Sequence, residues 1–468
     1  SFSLKTAGQL FVIVSAVLFV IAAAWIYSFY KIKGIIPLFL VLFIFCLRAL
    51  WVMNAADTLS KHIDGTSDKI TATVVSAPIS SDEGTYAQCT VRVDKSENQS
   101  LKKGSRLLLT GENLMALEIG DCIEQKVFYS SFADDNKLGY YGDGVYYSAF
   151  CNGKVIYAGK SNGAYGLAGK VRGYVKTVIK NNCDNYNILL CIVTGERCYV
   201  SNELYGRVIT AGVSHVLVVS GMHLALICIG LERVLRLFFK SGFLRDLFVL
   251  CVAFGISIIC GFGISILRAA LVYFIRAVYR LLYRRANSLH CLAFATVTVL
   301  ILHPYAFHSI AFQLSYSATF GILVLSEHIS DAFARYKNRS KALKYVVDAV
   351  SISLSAYIAT LPTCISAFGV LSVLSVPVNL LIDIPANMML SLSIAGLITG
   401  FLPFLQSAVF NVADIFADYF LKVVRLASSV PFASLKLNHT AFLTVAILLC
   451  YLLIYFFKAR PYRYFLKR

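Results

Sequence analysis

The sequence predicts a polytopic α-helical membrane protein of about 9–11 membrane segments, some broken or re-entrant. A small all-β, OB-like extracytoplasmic domain is inserted near its N-terminal end. Three observations carry this reading. Apolar runs of about 20 residues, the length that crosses a bilayer, recur along the chain. Of 468 residues 58% are hydrophobic and only 15% charged, against roughly a quarter charged in ordinary globular chains, and mean hydropathy is +0.71. One stretch of about 100 residues breaks the pattern with period-two alternation and Gly, Asn and Asp breaks.

Residues 1–56 hold two apolar runs, 10–30 and 35–53, with Lys31 and Lys33 between them. The first is too long and too weakly flanked for a cleavable signal peptide and reads as a retained span. Residues 57–162 form the β domain, in which "KITATVVSAPI", "TYAQCTVRVD", "SRLLLTGE", "DCIEQKVFYSSF" and "GVYYSAFCNGKVIYAG" alternate as strands do. Five such strands suit a small barrel, OB-like among the options. Residues 163–200 make a connector. Within it Leu167, Ala168, Val171, Tyr174, Val175, Val178 and Ile179 share one helical face opposite Lys170, Lys176 and Lys180, the pattern of a helix lying on a membrane surface.

Residues 201–468 form the main membrane block. Its runs fall near 212–231, 246–262, 264–283, 289–302, 306–326, 345–368, 371–400, 402–427 and 440–457. The run 371–400 exceeds one simple span and contains Pro377 and Pro385, so two half-helices or a re-entrant piece are expected there. Every second loop is basic: Lys240 and Arg245, then Arg280, Arg284 and Arg285, then "RYKNRSKALK". Residues 60–160 carry 11 Lys and Arg against 13 Asp and Glu, leaving 32 basic and 12 acidic residues elsewhere. The net charge of +18 is therefore mainly a topology signal. Basic loops and the tail "KARPYRYFLKR" go to the cytoplasm, and the β domain to the outside.

Thirteen cysteines are spread mostly through apolar segments with no CxxC pair, which reads as packing. In the external domain a disulfide could form; Cys122 with Cys151 is the preferred pair, both at strand-like positions, with Cys89 left over.

Polar residues inside apolar runs are expensive and normally face a cavity or a partner. In "TGERCYVSNELYGRVITAGVSHVLVVSGMHLAL" these are Glu196, Glu203, His215, Ser220 and His223. His215 and His223 lie about 12 Å apart on a continuous helix, too far to share a metal. Ser220–Gly221 is a plausible helix break. Ser and His can simply bridge helices while Gly lets backbones approach, or Ser220 and His223 can form a nucleophile–base pair. Downstream, Arg268 needs an acceptor, Gln313, Ser315 and Ser317 interrupt another run, and Asn379 and Asp383 follow Pro377. Together they would line a polar route, or form a helix–helix network with no conduit. In the β domain Arg92, Lys95, Lys102, Lys103 and Arg106 cluster among aromatics that include Tyr129, the combination single-strand binding uses. A solvated face over core aromatics reads the same. No HxHxDH, HExxH or P-loop signature occurs, so no catalytic residue, metal or cofactor is expected.

"GVSHVLVVSGMHLALI" resembles the signature of the ComEC competence-protein family. "LRAALV", Asn287, "HPYAFHSIAFQLSYSATFGI" and "VPVNLLIDIP" follow in that family's order and spacing. The resemblance implies a channel in the bacterial plasma membrane that passes one strand of transforming DNA inward during natural competence. It also implies partners: single-stranded DNA, membrane lipid, an extracellular DNA receptor, a separate nuclease and a cytoplasmic ATPase. Carried onto this sequence, the path would be lined by Glu196, His215, Ser220, Gly221, His223, Arg268, Gln313, Ser315 and Asn379. DNA contacts in the β domain would come from Arg92, Lys102, Lys103, Arg106 and Tyr129. Many members carry a C-terminal metallo-β-lactamase-like domain whose motifs are missing here, so a non-enzymatic role is expected. The rival readings are an intramembrane serine hydrolase using Ser220 and His223, and a small-solute transporter.

Overall fold

A computed structural model describes residues 62–436 except 81–85, 99–100, 133, 154, 218–220, 261–262, 334–339 and 432. The runs expected at 10–30, 35–53 and 440–457 lie outside the described residues. The chain divides into two compact units, one of residues 1–161 with 294–309, the other of 162–293 with 310–468.

In the first unit the alternating segments form β1 (Ser67–Val74), β2 (Ile79–Ser80), β3 (Ala87–Ser96), β4 (Arg106–Gly111), β5 (Asp121–Ser130), β6 (Tyr147–Cys151) and β7 (Ile156–Lys160). Their order is β1-β3-β4-β6-β5-β7, β2 pairs with β3, and a further β1–β5 pairing closes the sheet on itself. The β4–β6 pair is parallel and the others antiparallel. Closure leaves one face inside. Ile70, Ala72, Val74, Val91, Val93, Leu107, Leu109, Ile123 and Val127 on it are wholly buried, each large aliphatic contributing about 1.5–3 kcal/mol. Helix α1 (Asp134–Gly142) follows β5. Residues of the "HPYAFH" segment pack on its end: Tyr305 meets Tyr141 edge to face at 5.7 Å, and Ser309 Oγ donates to Asp143 Oδ1 at 2.6 Å. Gly142 permits this contact, because a Cβ there would come within 2.6 Å of Ser309 N and 2.9 Å of Tyr305 O.

The second unit is helical: α2 (Ala164–Asn182), α3 (Tyr186–Thr194), α4 (Asn202–Ala211), α5 (Gly221–Phe238), α6 (Gly242–Ile259), α7 (Ile264–Leu281), then, beyond α8 (Ser288–Leu302), which both units share, α9 (Ile310–Ala332), α10 (Lys341–Phe368), α11 (Ser375–Ile398) and α12 (Pro403–Ser429). Short strands β8 (Val370–Ser372) and β9 (Ser434–Lys436) pair antiparallel. Its largest core joins α2, α3, α4, α11 and α12 through residues such as Ile179, Leu189, Val208, Met389, Phe410 and Phe420. Among the described residues three helices are long and apolar enough to cross a membrane: Ile310–Ala332, Lys341–Phe368 and Ser375–Phe401, the last including one 3-10 turn. At 1.5 Å per residue their 23, 28 and 27 residues exceed a hydrocarbon core of about 30 Å.

Two expectations change. The run 371–400 is not two half-helices. Its start is strand β8, and α11 then continues unbroken through Pro385. Pro377 lies in the first turn, where a missing N–H costs nothing, and Pro385 removes one further donor. Helix α2 does not rest its apolar face on lipid alone. It packs on α3, α6, α11 and α12, burying Gly166, Ala168, Gly169, Val175, Ile179 and Arg172, while Leu167 and Tyr174 are exposed. Small residues one turn apart let the helices approach, and Arg172 follows because an acidic partner meets it inside.

Candidate functional site

Each polar residue in the helical unit is placed by a small neighbour or by a helix end. Helix α4 stops at Gly212, which adopts φ 77°, a conformation glycine reaches without strain. A Cβ there would come within 2.6 Å of Ser372 Oγ and Ser375 Cβ. Ser372 Oγ donates to Thr210 O at 2.9 Å and Ser375 Oγ to Gly212 O at 3.0 Å, so the start of α11 is pinned to the "TAGVSH" turn. His215 follows in a 3-10 turn, Ser214–Val216, and is exposed. Ser220 lies outside the described residues. Helix α5 is described from Gly221 onward, so the break expected at Ser220–Gly221 falls at the edge of the described residues, and His223 is wholly buried. The two histidines therefore sit on separate elements.

Gly221 is buried against α7. A Cβ there would overlap Nη2 of Arg268 and lie 3.2 Å from Ala269 Cβ. Arg268 is 8% exposed. Its Nη1 donates to Thr319 Oγ1 on α9, and its guanidinium lies 5.5 Å from the Tyr316 ring. Thr319 in turn donates to Ser315 O at 2.9 Å. Gln313 and Ser315 are half-buried on the same helix, and Ser317 Oγ donates to Gln313 O at 2.6 Å. Arg268, Gly221, Tyr316 and Thr319 are thus brought together. Glu196 is not part of that group: it forms a buried ion pair with Arg172 of α2.

Helix α11 carries the feature the sequence reading largely passed over. Ser375, Asn379, Asp383, Asn387 and Ser391 recur every fourth residue, one helical turn apart. They run from buried Ser375 and Asn379, through half-buried Asp383 and Asn387, to exposed Ser391. Leu381 and Met388, 52% and 42% exposed, lie across the helix from Asn379 and Asp383; the row drifts about 40° per step, so Ser391 falls beside Ile384, which is 51% exposed. Oδ1 of Asn379 and of Asn387 has no hydrogen-bond partner among the described residues. A buried amide left dry costs about 1–3 kcal/mol, so the stripe suits water or a polar ligand. Asn379 was found in the sequence and Asn387 and Ser391 were not, although the four-residue spacing was there to read.

In the β domain Arg92 and Arg106 stand directly opposite in the β3–β4 register, and Arg106 also acts on the Asp143 carboxylate. Lys102 and Lys103 are exposed in the same hairpin's turn. Tyr129 is a correction. It is 3% exposed, its hydroxyl donates to Asp68 Oδ2 at 3.0 Å, and it offers no face for stacking. It shares strand parity with buried Ile123 and Val127, whereas Phe128 and Tyr157, 47% and 54% exposed, offer rings to solvent. The Cys122–Cys151 pairing is also corrected, since both thiols are free. Phe128 faces Phe150 in the β5–β6 register, which sets Cys151 beside Val127. Five residues of strand, about 17 Å, then separate it from Cys122, beyond any disulfide. Among the described residues no group of three or more His, Cys, Asp or Glu is placed to hold a metal.

The family model described as competence protein matches residues 192–461. ComE operon protein 3 of Bacillus subtilis (strain 168) is 28% identical over 201 residues, 42% of this chain and 24% of that protein. An uncharacterized protein of Aquifex aeolicus (strain VF5) is 28% identical over 224 residues, 46% of this chain and 49% of that protein. The chain thus spans between about a quarter and a half of the length of these relatives. No solved structure matches.

Proposed function

Because this chain belongs to the competence protein family, we propose that it is a plasma-membrane channel carrying single-stranded transforming DNA into a bacterium during natural competence. The observation that carries the reading is the polar stripe of α11. The most apolar of the three candidate spans, with hydropathy 1.7, keeps a carboxyl and two amides where leucines would be more stable. A charged polymer needs such a hydrated wall, and irregular or polar groups persist at membrane depth only beside protein or water. Conduction would need no catalytic group.

The β domain, on this reading, is an OB-like barrel on the outer side that guides the strand. Its strand order is closed through β1–β5, and the opposed Arg92 and Arg106, with Lys102 and Lys103, would hold phosphates while Phe128 and Tyr157 stack bases. The basic loops would face the cytoplasm. An extracellular DNA receptor, a separate nuclease and a cytoplasmic ATPase would complete the machinery.

Cysteine accessibility tests the hydrated wall. Asp383→Cys and Asn387→Cys should react with a membrane-impermeant maleimide, and a single-stranded oligonucleotide should slow that reaction. Leu381→Cys and Met388→Cys, on the lipid side, should not react. Equal labelling on both sides, or none on the stripe, would remove the reading.

A further inference from the structure

We propose that Arg268, with Thr319 beside it, forms a phosphodiester-binding station for the passing strand. The proposal rests on the channel reading and adds the ligand chemistry of one site to it.

Two other arginines of the helical unit meet carboxylates. Arg172 pairs with Glu196. Arg280 grips Asp246 with two bonds, Nε to Oδ2 at 3.0 Å and Nη2 to Oδ1 at 2.5 Å. Arg268 is as buried as Arg172, yet among the described residues no carboxylate meets it. Thr319 Oγ1 is its hydrogen-bond acceptor, Nε has none among the described residues, and the Tyr316 ring supplies only a weak cation–π contact at 5.5 Å. An enclosed charge in this state is costly and calls for an anion.

Nη2 lies against Gly221 of α5. A guanidinium fork matches the two free oxygens of a phosphodiester, which a single ammonium cannot do. Gly221 lets the guanidinium approach α5 closely, since any side chain there would displace Nη2. A single strand presents one such monoanion per nucleotide, and a phospholipid headgroup presents the same group.

The test is the salt dependence of binding. Full-length chain in neutral phosphatidylcholine nanodiscs is titrated with fluorescent oligothymidylate across a NaCl series. Each phosphate contact to a single strand contributes about 0.7 to the slope of log K against log salt. Arg268→Gln should lower the slope by about 0.7, and Arg268→Lys should keep the slope while weakening binding. Thr319→Val should keep the slope and weaken binding about fivefold, the worth of one hydrogen bond. A methylphosphonate strand of the same sequence, whose backbone is neutral, should not sense the Arg268→Gln change. An unchanged slope in Arg268→Gln, with the parent binding well, would overturn the station and leave the channel reading intact. Should Arg268→Gln fail to fold, unchanged affinity in both Arg268→Lys and Thr319→Val would overturn it instead. A parent chain that binds no oligonucleotide at any salt would overturn the channel reading itself. If anionic phosphatidylglycerol discs change the stability of the parent but not of Arg268→Gln, while oligonucleotide affinity stays equal, the site belongs to lipid and the proposal fails.

Discussion

Arg172 and Glu196 show how a single pair ties a helix to its neighbours. Their side chains are 8% and 11% exposed, so removing one partner strands a charge in a low-dielectric interior. Glu196→Ala should destabilise the helical unit by about 3–5 kcal/mol, and Arg172→Met with Glu196→Leu should recover most of that. Denaturant titration in detergent checks both. Asp143 makes a second prediction. Burial raises its carboxyl above the ordinary range, against the smaller opposing pulls of Ser309 and Arg106. The folded state then holds the proton more tightly than the unfolded chain, so this contribution is complete at low pH and is lost as pH climbs through the raised value. Hydrogen exchange of the Asp143–Ser309 region should show protection falling from pH 4 upward, and Asp143→Asn should flatten that trend. Burial acts in the same direction at Asp121. Some residue assignments were open to sequence reasoning and others were not. Strand parity alone puts Tyr129 inside with Val127. The partnership of Arg172 with Glu196 depends on tertiary folding across 24 residues and leaves no trace in local pattern.

The elements divide by which signal shapes them. Strands β1, β3, β5 and β6 were visible because one face must be buried, and burial imposes period two. Helix α2 was visible as a helix, but its partner was not. An apolar face reads alike whether it meets lipid or protein, and only Gly166, Ala168 and Gly169 at the contact hint at another helix. The same small-residue logic governs the α9–α10 crossing. A Cβ on Gly321 would overlap Ala359 and come within 2.6 Å of Ser355 O. Gly321→Val should force these two candidate spans apart, costing about 1–3 kcal/mol, while Gly173→Ala, where a Cβ meets nothing within 4 Å, should be tolerated. Thermal unfolding of the two purified variants distinguishes them. Proline misled the reading of α11 because a proline is a break in most helices, yet neighbouring helices can re-satisfy the freed backbone groups in an apolar bundle.

For the whole molecule, the membrane character, the inserted β domain and the competence-family membership were all present in hydropathy, alternation and a few motifs. The proposed conduit was less legible. It would depend on which polar residues share a wall, and polar side chains of the helical unit gather in two places: the Asn379–Asp383–Asn387 stripe and the cluster around Arg268. The direct measurement is entry of labelled transforming DNA into nuclease-protected cytoplasm, in cells whose own copy is replaced by this chain or by Asn379→Leu with Asn387→Leu. At matched membrane levels the account predicts that the double variant imports at least about tenfold less, the consequence of roughly 1.4 kcal/mol added to the barrier. Import at the parental rate by a normally expressed double variant would contradict it.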